Sequence, residues 1–288
     1  MYKHILLAIN YGENYKKGTP ILKNKMSKHA FPAVKKQVTA AFNDAQSCHK
    51  LDTAKRSMMP VKQALSVIEQ GESINLDVSR KGVGPLKTPF GDIWMFRFQV
   101  SDDWQIYTAL VKCQGIDPET LQPIFKNPDR MMVRVDSGCE TGQLFLDQTC
   151  DCREQLHEAM KNVIEHGEGV IVHIPAQDGR GRGMPFKLST LYLQETMGLN
   201  TIESAACMAG DKSIDTRTYS GVISVIKFLG LMPDKTKISL ATNNPDKIAA
   251  FQENGYQVDN VPIIIPANDF TKKHLDAKKK YLNHKLGK

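Results

Sequence analysis

No stretch of this 288-residue chain approaches the ~20 consecutive apolar residues that a membrane-spanning helix needs, which excludes an α-helical membrane protein. The first apolar stretch, Ile5 to Ile9, is too short for a signal-peptide core and no small-residue cleavage site follows it, so a cytoplasmic location is expected. Aromatic residues make up only 7% of the chain, and nucleic-acid platforms built on stacked rings are correspondingly disfavoured. Six cysteines are too few to staple a secreted scaffold of this length. There is no internal repeat, no P-loop and no Rossmann fingerprint. What is present is 41% hydrophobic and 24% charged, the profile of a globular protein with room for one large domain or two smaller ones.

Acidic residues are scarce in one place. Residues 1–80 hold 13 Lys/Arg against 6 Asp/Glu, whereas the rest of the chain holds 25 of each, so the net charge of +7 belongs to the N-terminal segment. Such a segment is either a solvated basic surface or an anion-facing arm. With few interleaved aromatics and no nucleic-acid motif, a nucleic-acid partner is not expected.

Val61 to Gln70 reads as a short helix ended by Gly71, and Lys81-Gly-Val-Gly-Pro85 reads as a linker. The division expected is therefore a basic extension over 1–83 and a catalytic domain over 84–288. Beyond the linker, Ile93–Val100, Gln105–Cys113, Met131–Val135, Val170–Ile174 and Lys237–Ala241 read as strands. Helices are expected over Cys152–His166, Phe186–Met197, Tyr219–Leu229, Pro245–Asn254 and, rich in lysine, Phe270–His284. Alternation of the two kinds predicts an α/β (α+β) fold, a mixed sheet flanked by helices.

Three of the cysteines crowd into Cys139-Glu-Thr-Gly-Gln-Leu-Phe-Leu-Asp-Gln-Thr-Cys150-Asp-Cys152. In a reducing compartment clustered cysteines are metal ligands or reactive thiols. Three protein ligands and an open position suit a catalytic zinc, while a redox pair, or a structural site completed by His157 or Cys207, are the alternatives. Three thiolates on one dication leave a net negative centre, which needs cationic help nearby. Cys113 and Cys207 read as small buried residues. Downstream, Gln177-Asp-Gly-Arg-Gly-Arg-Gly183 could bring backbone and arginine to a phosphate, or be a surface turn. Asp215-Thr-Arg217 is a surface ion pair or an acid–base and phosphate-binding pair. Thr242-Asn-Asn-Pro-Asp-Lys247 is a capped turn or an anion site at a helix start.

In order along the chain, these pieces resemble GTP cyclohydrolase II. The likeness rests on Val133-Arg-Val-Asp-Ser-Gly-Cys139-Glu-Thr-Gly, Cys150-Asp-Cys152, Gln155, Asp178-Gly-Arg180, Asp215-x-Arg217 and Thr242-Asn-Asn-Pro-x-Lys247. Thr88-Pro-Phe-Gly-Asp92 and His274-Leu-Asp-x-Lys278 extend it over roughly 84–284. Residues 1–80 do not resemble the dihydroxybutanone-phosphate synthase domain that often precedes this enzyme. The resemblance implies a homodimer with one zinc per subunit and magnesium on the substrate triphosphate. It implies opening of the imidazole ring of GTP, with release of formate and pyrophosphate, for riboflavin synthesis. It places zinc on Cys139, Cys150 and Cys152, a proton acceptor at Asp215 and a nucleophile at Arg217. Nucleotide-binding positions fall on Arg134, Val135, Asp136, Ser137, Gly138, Gln155, Asp178, Gly179, Arg180, Thr201, Thr242 and Lys247. A catalytic tyrosine falls on Tyr192 if one residue is inserted after Gly183.

The chain departs from the family pattern at substrate contacts. Asp136-Ser137-Gly138-Cys139 stands where His-Ser-Glu-Cys is usual, Asp178 shortens a Glu, and Arg182 replaces a small apolar residue. The metal ligands match. A paralogue acting on another nucleotide or pyrimidine, and a non-catalytic zinc-stabilised binding module, are the competing expectations.

Overall fold

The computed structural model describes residues 45–101, 106–175, 177–210 and 212–282. Ile5–Ile9, most of the basic segment, Gln105 and His284 lie outside the described residues, as do the side chains of His274 and Lys278. The chain forms two compact units, Met1–Met58 and Met59–Lys288. The described part of the first is one helix, α1 (Ala45–Arg56).

The second unit is built on an eight-stranded sheet. In chain order the strands are β1 (Val61–Glu69), β2 (Glu72–Thr88), β3 (Gly91–Val100), β4 (Ile106–Lys112), β7 (Arg130–Ser137), β8 (Gly169–Ile174), β9 (Lys237–Ala241) and β10 (Gln257–Val261). A two-stranded ribbon, β5 (Gly115–Ile116) with β6 (Pro123–Ile124), sits between β4 and β7 in sequence. The spatial order is β1-β2-β3-β4-β8-β7-β9-β10. Neighbours from β1 to β8 run antiparallel, and β8, β7, β9 and β10 run parallel. The helices are α2 (Glu140–Gln143), α3 (Cys152–His166), α4 (Met184–Met197), α5 (Thr201–Ala209), α6 (Ser220–Phe228), α7 (Pro245–Glu253) and α8 (Lys272–Leu282). The mixed sheet flanked by helices is the fold class expected, and the strands and helices read beyond residue 90 fall where expected to within one or two residues at most ends.

Two expectations nearer the N-terminus are overturned. Val61–Gln70 is a strand: Leu65 and Val67 point inward with period two, and Gln70 and Gly71 both take positive φ (52° and 82°), as a two-residue hairpin turn requires. The glycine read as a helix stop is the turn itself. Lys81–Pro85 is no linker but the middle of β2, where the register with β3 shifts between Arg80 and Gly82. Beyond Arg80, β2 has no partner on its β1 side among the described residues, and an edge tolerates a proline that lacks an N–H. The division expected at 83/84 thus falls inside a strand of the sheet.

Both faces of the sheet are covered. On one, Val133, Val135, Val170 and Val172 pack with Val222, Ile226 and Phe228 of α6. On the other, Leu110, Met132 and Ile171 meet Ala159 and Val163 of α3. β7 leads through α2 and α3 to β8 on one side, and its other neighbour is β9. Such a reversal of strand order opens a crevice at the carboxyl ends of the strands, here Ser137, Ile174 and Ala241.

α6 lies tightly on the sheet. A Cβ built on Gly221 would stand 2.2 Å from the Tyr107 hydroxyl oxygen of β4. Gly221→Ala should therefore destabilise the protein by about 1–3 kcal/mol in denaturant unfolding, because overpacking outweighs the gain of about 1 kcal/mol in helix propensity. A stabilised variant would mean that α6 does not sit this close.

Candidate metal centre and anion cleft

Cys139 follows the end of β7 and precedes α2, Cys150 lies in the loop after α2, and Cys152 is the first residue of α3. Their sulfurs lie within 4.8 Å of one another, with 3.6 Å between Cys139 and Cys150. Gly142 makes the approach possible: a Cβ there would be 2.6 Å from the Cys150 sulfur and 3.2 Å from that of Cys139. Lys187 of α4 places its Nζ 2.9 Å from Cys139 Sγ, supplying the cation that a three-thiolate centre needs. Hydrogen bonds from Cys150 and Cys152, with help from Lys187 and against burial, hold the Cys139 thiol far below its usual range. The Cys150 thiol is pushed up to about 11 by its bond to Cys139 and by burial. One thiolate therefore forms readily and its neighbour resists, and a dication between the sulfurs would favour ionisation of the whole set. A soft three-sulfur donor set that excludes side chains from its centre fits such an ion. Neither His157, whose ring lies 5.6 Å from that of Phe90, nor Cys207 joins the described cluster. Cys113 is half-buried and Cys207 exposed, so the buried reading of Cys207 is corrected: it faces outward from α5.

The sulfurs form one wall of an open cleft of about 1230 Å³ at the crevice. Arg180 lies in another wall. It sits on a 3-10 turn (Asp178–Gly181) in the left-handed region, φ 61°, a conformation uncommon for a non-glycine residue. Burial and the nearby Arg217 lower its basicity, and among the described residues its guanidinium has no hydrogen-bonding partner. Arg217 also lines the cleft. Its Nε donates to Asp215 Oδ1 at 2.9 Å and its Nη2 contacts Oδ2. Burial alone would raise Asp215, but this fork holds it below the usual carboxylate range. Thr242 opens the turn before α7, Asn244 caps that helix, and Lys247 lies in its first turn. Several buried cations converging on one cleft make it a place for an anion.

Most of the expected contacts line this cleft: Arg134, Asp136, Ser137, Gly138, Gln155, Asp178, Gly179, Arg180, Thr201, Arg217, Thr242 and Lys247. Three do not. Val135 points into the core, and only its carbonyl reaches the site, accepting from Lys247 Nζ at 2.9 Å. Asp215 stands behind Arg217 and borders a separate hollow. Tyr192 is 69% exposed. On α4 the cleft face is Lys187, Thr190, Leu191 and Gln194, spaced three and four apart, so Tyr192 turns away and Leu191 faces the ligand space. Two expected carboxylates are already engaged. Asp178 accepts from the Glu140 N–H and from Lys187, and Asp136 from His173 and Gln143. Gly138 has no room for a side chain, since a Cβ would lie 2.7 Å from the Ile174 carbonyl oxygen. Lys187, Gln143 and His173 escaped the sequence reading. Gln143 could have been found from its helical spacing to Cys139, and Lys187 from the phase of α4.

Residues 80–262 match the family model for GTP cyclohydrolase II. Similar curated proteins are each called riboflavin biosynthesis protein RibBA. That of Parabacteroides distasonis is 30% identical over 222 residues, covering 77% of this chain and 48% of the relative. That of Endomicrobium trichonymphae is 32% identical over 234 residues, covering 79% and 54%. That of Aquifex aeolicus is 37% identical over 161 residues, covering 56% and 38%. The chain thus spans about half the length, or less, of these relatives. With the thiol cluster and the cationic cleft lying inside the matched residues, the chain belongs to the GTP cyclohydrolase II family.

Proposed function

We propose that the protein is a zinc-dependent hydrolase that opens the imidazole ring of GTP. The products would be formate, pyrophosphate and 2,5-diamino-6-(5-phosphoribosylamino)pyrimidin-4(3H)-one, a step toward riboflavin. The observation that carries this reading is that three convergent thiols and Arg180, whose guanidinium has no hydrogen-bonding partner among the described residues, face one cleft. Bound zinc on Cys139, Cys150 and Cys152 would supply Lewis-acid activation for hydrolysis at the base. Arg180, Arg217, Lys247 and the start of α7 would hold the triphosphate with its magnesium. Arg217 stays protonated, because the Asp215 bond outweighs burial and raises its basicity further. Its part at the α-phosphate is therefore that of a cationic clamp, with Asp215 orienting the guanidinium fork. Lys187 offsets the charge of the thiolates from beside them. A homodimer and a cytoplasmic setting belong to the same reading. The exposed run Leu144, Phe145 and Leu146, beside the cluster, suits burial by a second subunit, and no described helix is long and apolar enough to cross a membrane.

A second reading is favoured by one feature: none of the three positions Asp136, Gly138 and Asp178 offers the base an unengaged carboxylate. Gly138 admits no side chain, and Asp136 and Asp178 are bonded internally. A site built on a polar edge discriminates through the partner it provides, so guanine selectivity is the part of the activity this chain supports least. In this reading the same chemistry acts on another nucleotide.

Incubation of zinc-loaded protein with GTP and Mg²⁺ should release formate and pyrophosphate together. Arg217→Lys should lower kcat by roughly 10²–10³-fold while zinc content stays unchanged. Full zinc loading without formate release would contradict the ring-opening reading. In a thermal-shift series at equal concentration, GTP should raise the melting temperature more than ITP, ATP or CTP. A larger rise with another nucleotide would move the assignment to the second reading.

A further inference from the structure

The structure assigns Asp136 a role that differs from substrate binding: we propose that it is a positioning residue that holds both halves of the thiol cluster in register. The inference rests on the reading of Cys139, Cys150 and Cys152 as metal ligands.

Asp136 is the seventh residue of β7, and its side chain is only 3% exposed. Its Oδ2 accepts from His173 Nδ1 at 2.7 Å and from Gln143 Nε2 at 2.9 Å. His173 is its direct cross-strand neighbour on β8, so the parallel register of the two strands sets this pair. On the side of Oδ1 lies the Arg134 guanidinium, 3.8 Å away on the same face of β7. One hydrogen-bonded chain leaves this carboxylate, and a second leaves Arg134, which the carboxylate holds as an ion pair. The first passes through Gln143, whose Oε1 accepts from the Cys139 backbone N–H at 3.1 Å. The second passes from Arg134, whose Nη2 donates to Gln155 Oε1 at 2.9 Å. Gln155 Nε2 in turn donates to Asp151 Oδ2 at 2.6 Å. Asp151 is the residue between Cys150 and Cys152. One chain ends on the first sulfur-bearing residue, and the other ends between the second and third.

The polarity of each link leaves no choice of orientation. A carboxylate only accepts and an N–H only donates, so each glutamine amide is pinned with its oxygen toward one neighbour and its nitrogen toward the other. Reversing either amide would set donor against donor and acceptor against acceptor. The members of a buried hydrogen-bonded network support one another, so removal of one loosens the rest. Groups behind metal ligands orient them in the same way.

The test uses the full chain, stripped of metal and titrated with Co²⁺, whose sulfur-to-cobalt charge-transfer absorption reports the number and arrangement of thiolate ligands. Asp136→Asn keeps the shape but turns an amide nitrogen toward Arg134. Gln143→Leu cuts the first chain from its half-exposed end and leaves the buried residues untouched, so it decides the matter should Asp136→Asn fail to fold. Each should weaken Co²⁺ binding by roughly 10–100-fold and diminish the charge-transfer band. The double variant should lose less than the product of the two single losses, because both act through the one side chain at which the Gln143 and Arg134 contacts meet. Wild-type affinity and spectrum in both single variants would overturn the proposal. So would losses that multiply in full, since a merely general weakening of the fold would act independently. A wild-type chain that binds Co²⁺ without a charge-transfer band would overturn the metal reading, and this proposal with it.

Discussion

Three thiols within 4.8 Å of one another are an unfavourable arrangement for a polypeptide left to itself. Once one sulfur ionises, the next resists, and the loops that carry them must be held from outside. The rest of the site is organised by that constraint. Gly142 vacates the space between the sulfurs, Lys187 brings a positive charge against Cys139, and the end of β7 sends hydrogen-bonded chains to both loops. The same few residues of β7 also reach the anion side: Arg134 Nη1 donates to the Ala241 carbonyl at 3.1 Å, one residue before Thr242, and the Val135 carbonyl receives Lys247. The sulfur end and the cationic end of the cleft are thus tied to a single strand.

That strand is placed by topology. β7 lies between β8 and β9 with all three parallel, so three carboxyl ends and the loops that follow them open on one side. The thiol loop follows β7, the arginine turn follows β8, and the Thr242 turn follows β9. Both faces of the sheet beneath are filled with apolar side chains, so the loops stand on a rigid base while the cleft remains open.

Much of this was legible in the sequence, and the exceptions have physical reasons. Cys152–His166 and Lys237–Ala241 show their character locally, through a helical stripe closed by glycine and a short apolar run, and both lie where read. Val61–Glu69 did not, because Leu65, Val67 and Ile68 suit a helix and a strand alike until the partner strand β2 decides. The cleft residues with chemistry at fixed spacing were visible. Tyr192 was misplaced because one residue along a helix turns a side chain by about 100°. The engagement of Asp136 and Asp178 could not be read, since the sheet register brings His173 to Asp136 and the fold of the arginine turn against α4 brings Lys187 to Asp178. Likewise, only the close pass of β8 beneath Gly138 shows that no carboxylate fits there.

The central claim is that sulfur cluster and cationic cleft form one site for a metal and a nucleotide triphosphate. A crystal structure of the zinc-loaded protein with a non-hydrolysable GTP analogue, with zinc located by its anomalous scattering, tests it most directly. The expected result is a single zinc on the sulfurs of Cys139, Cys150 and Cys152, the base turned toward it, and the phosphates on Arg180, Arg217 and the start of α7. A metal elsewhere, a disulfide among the three cysteines, or a nucleotide bound outside this cleft would contradict it.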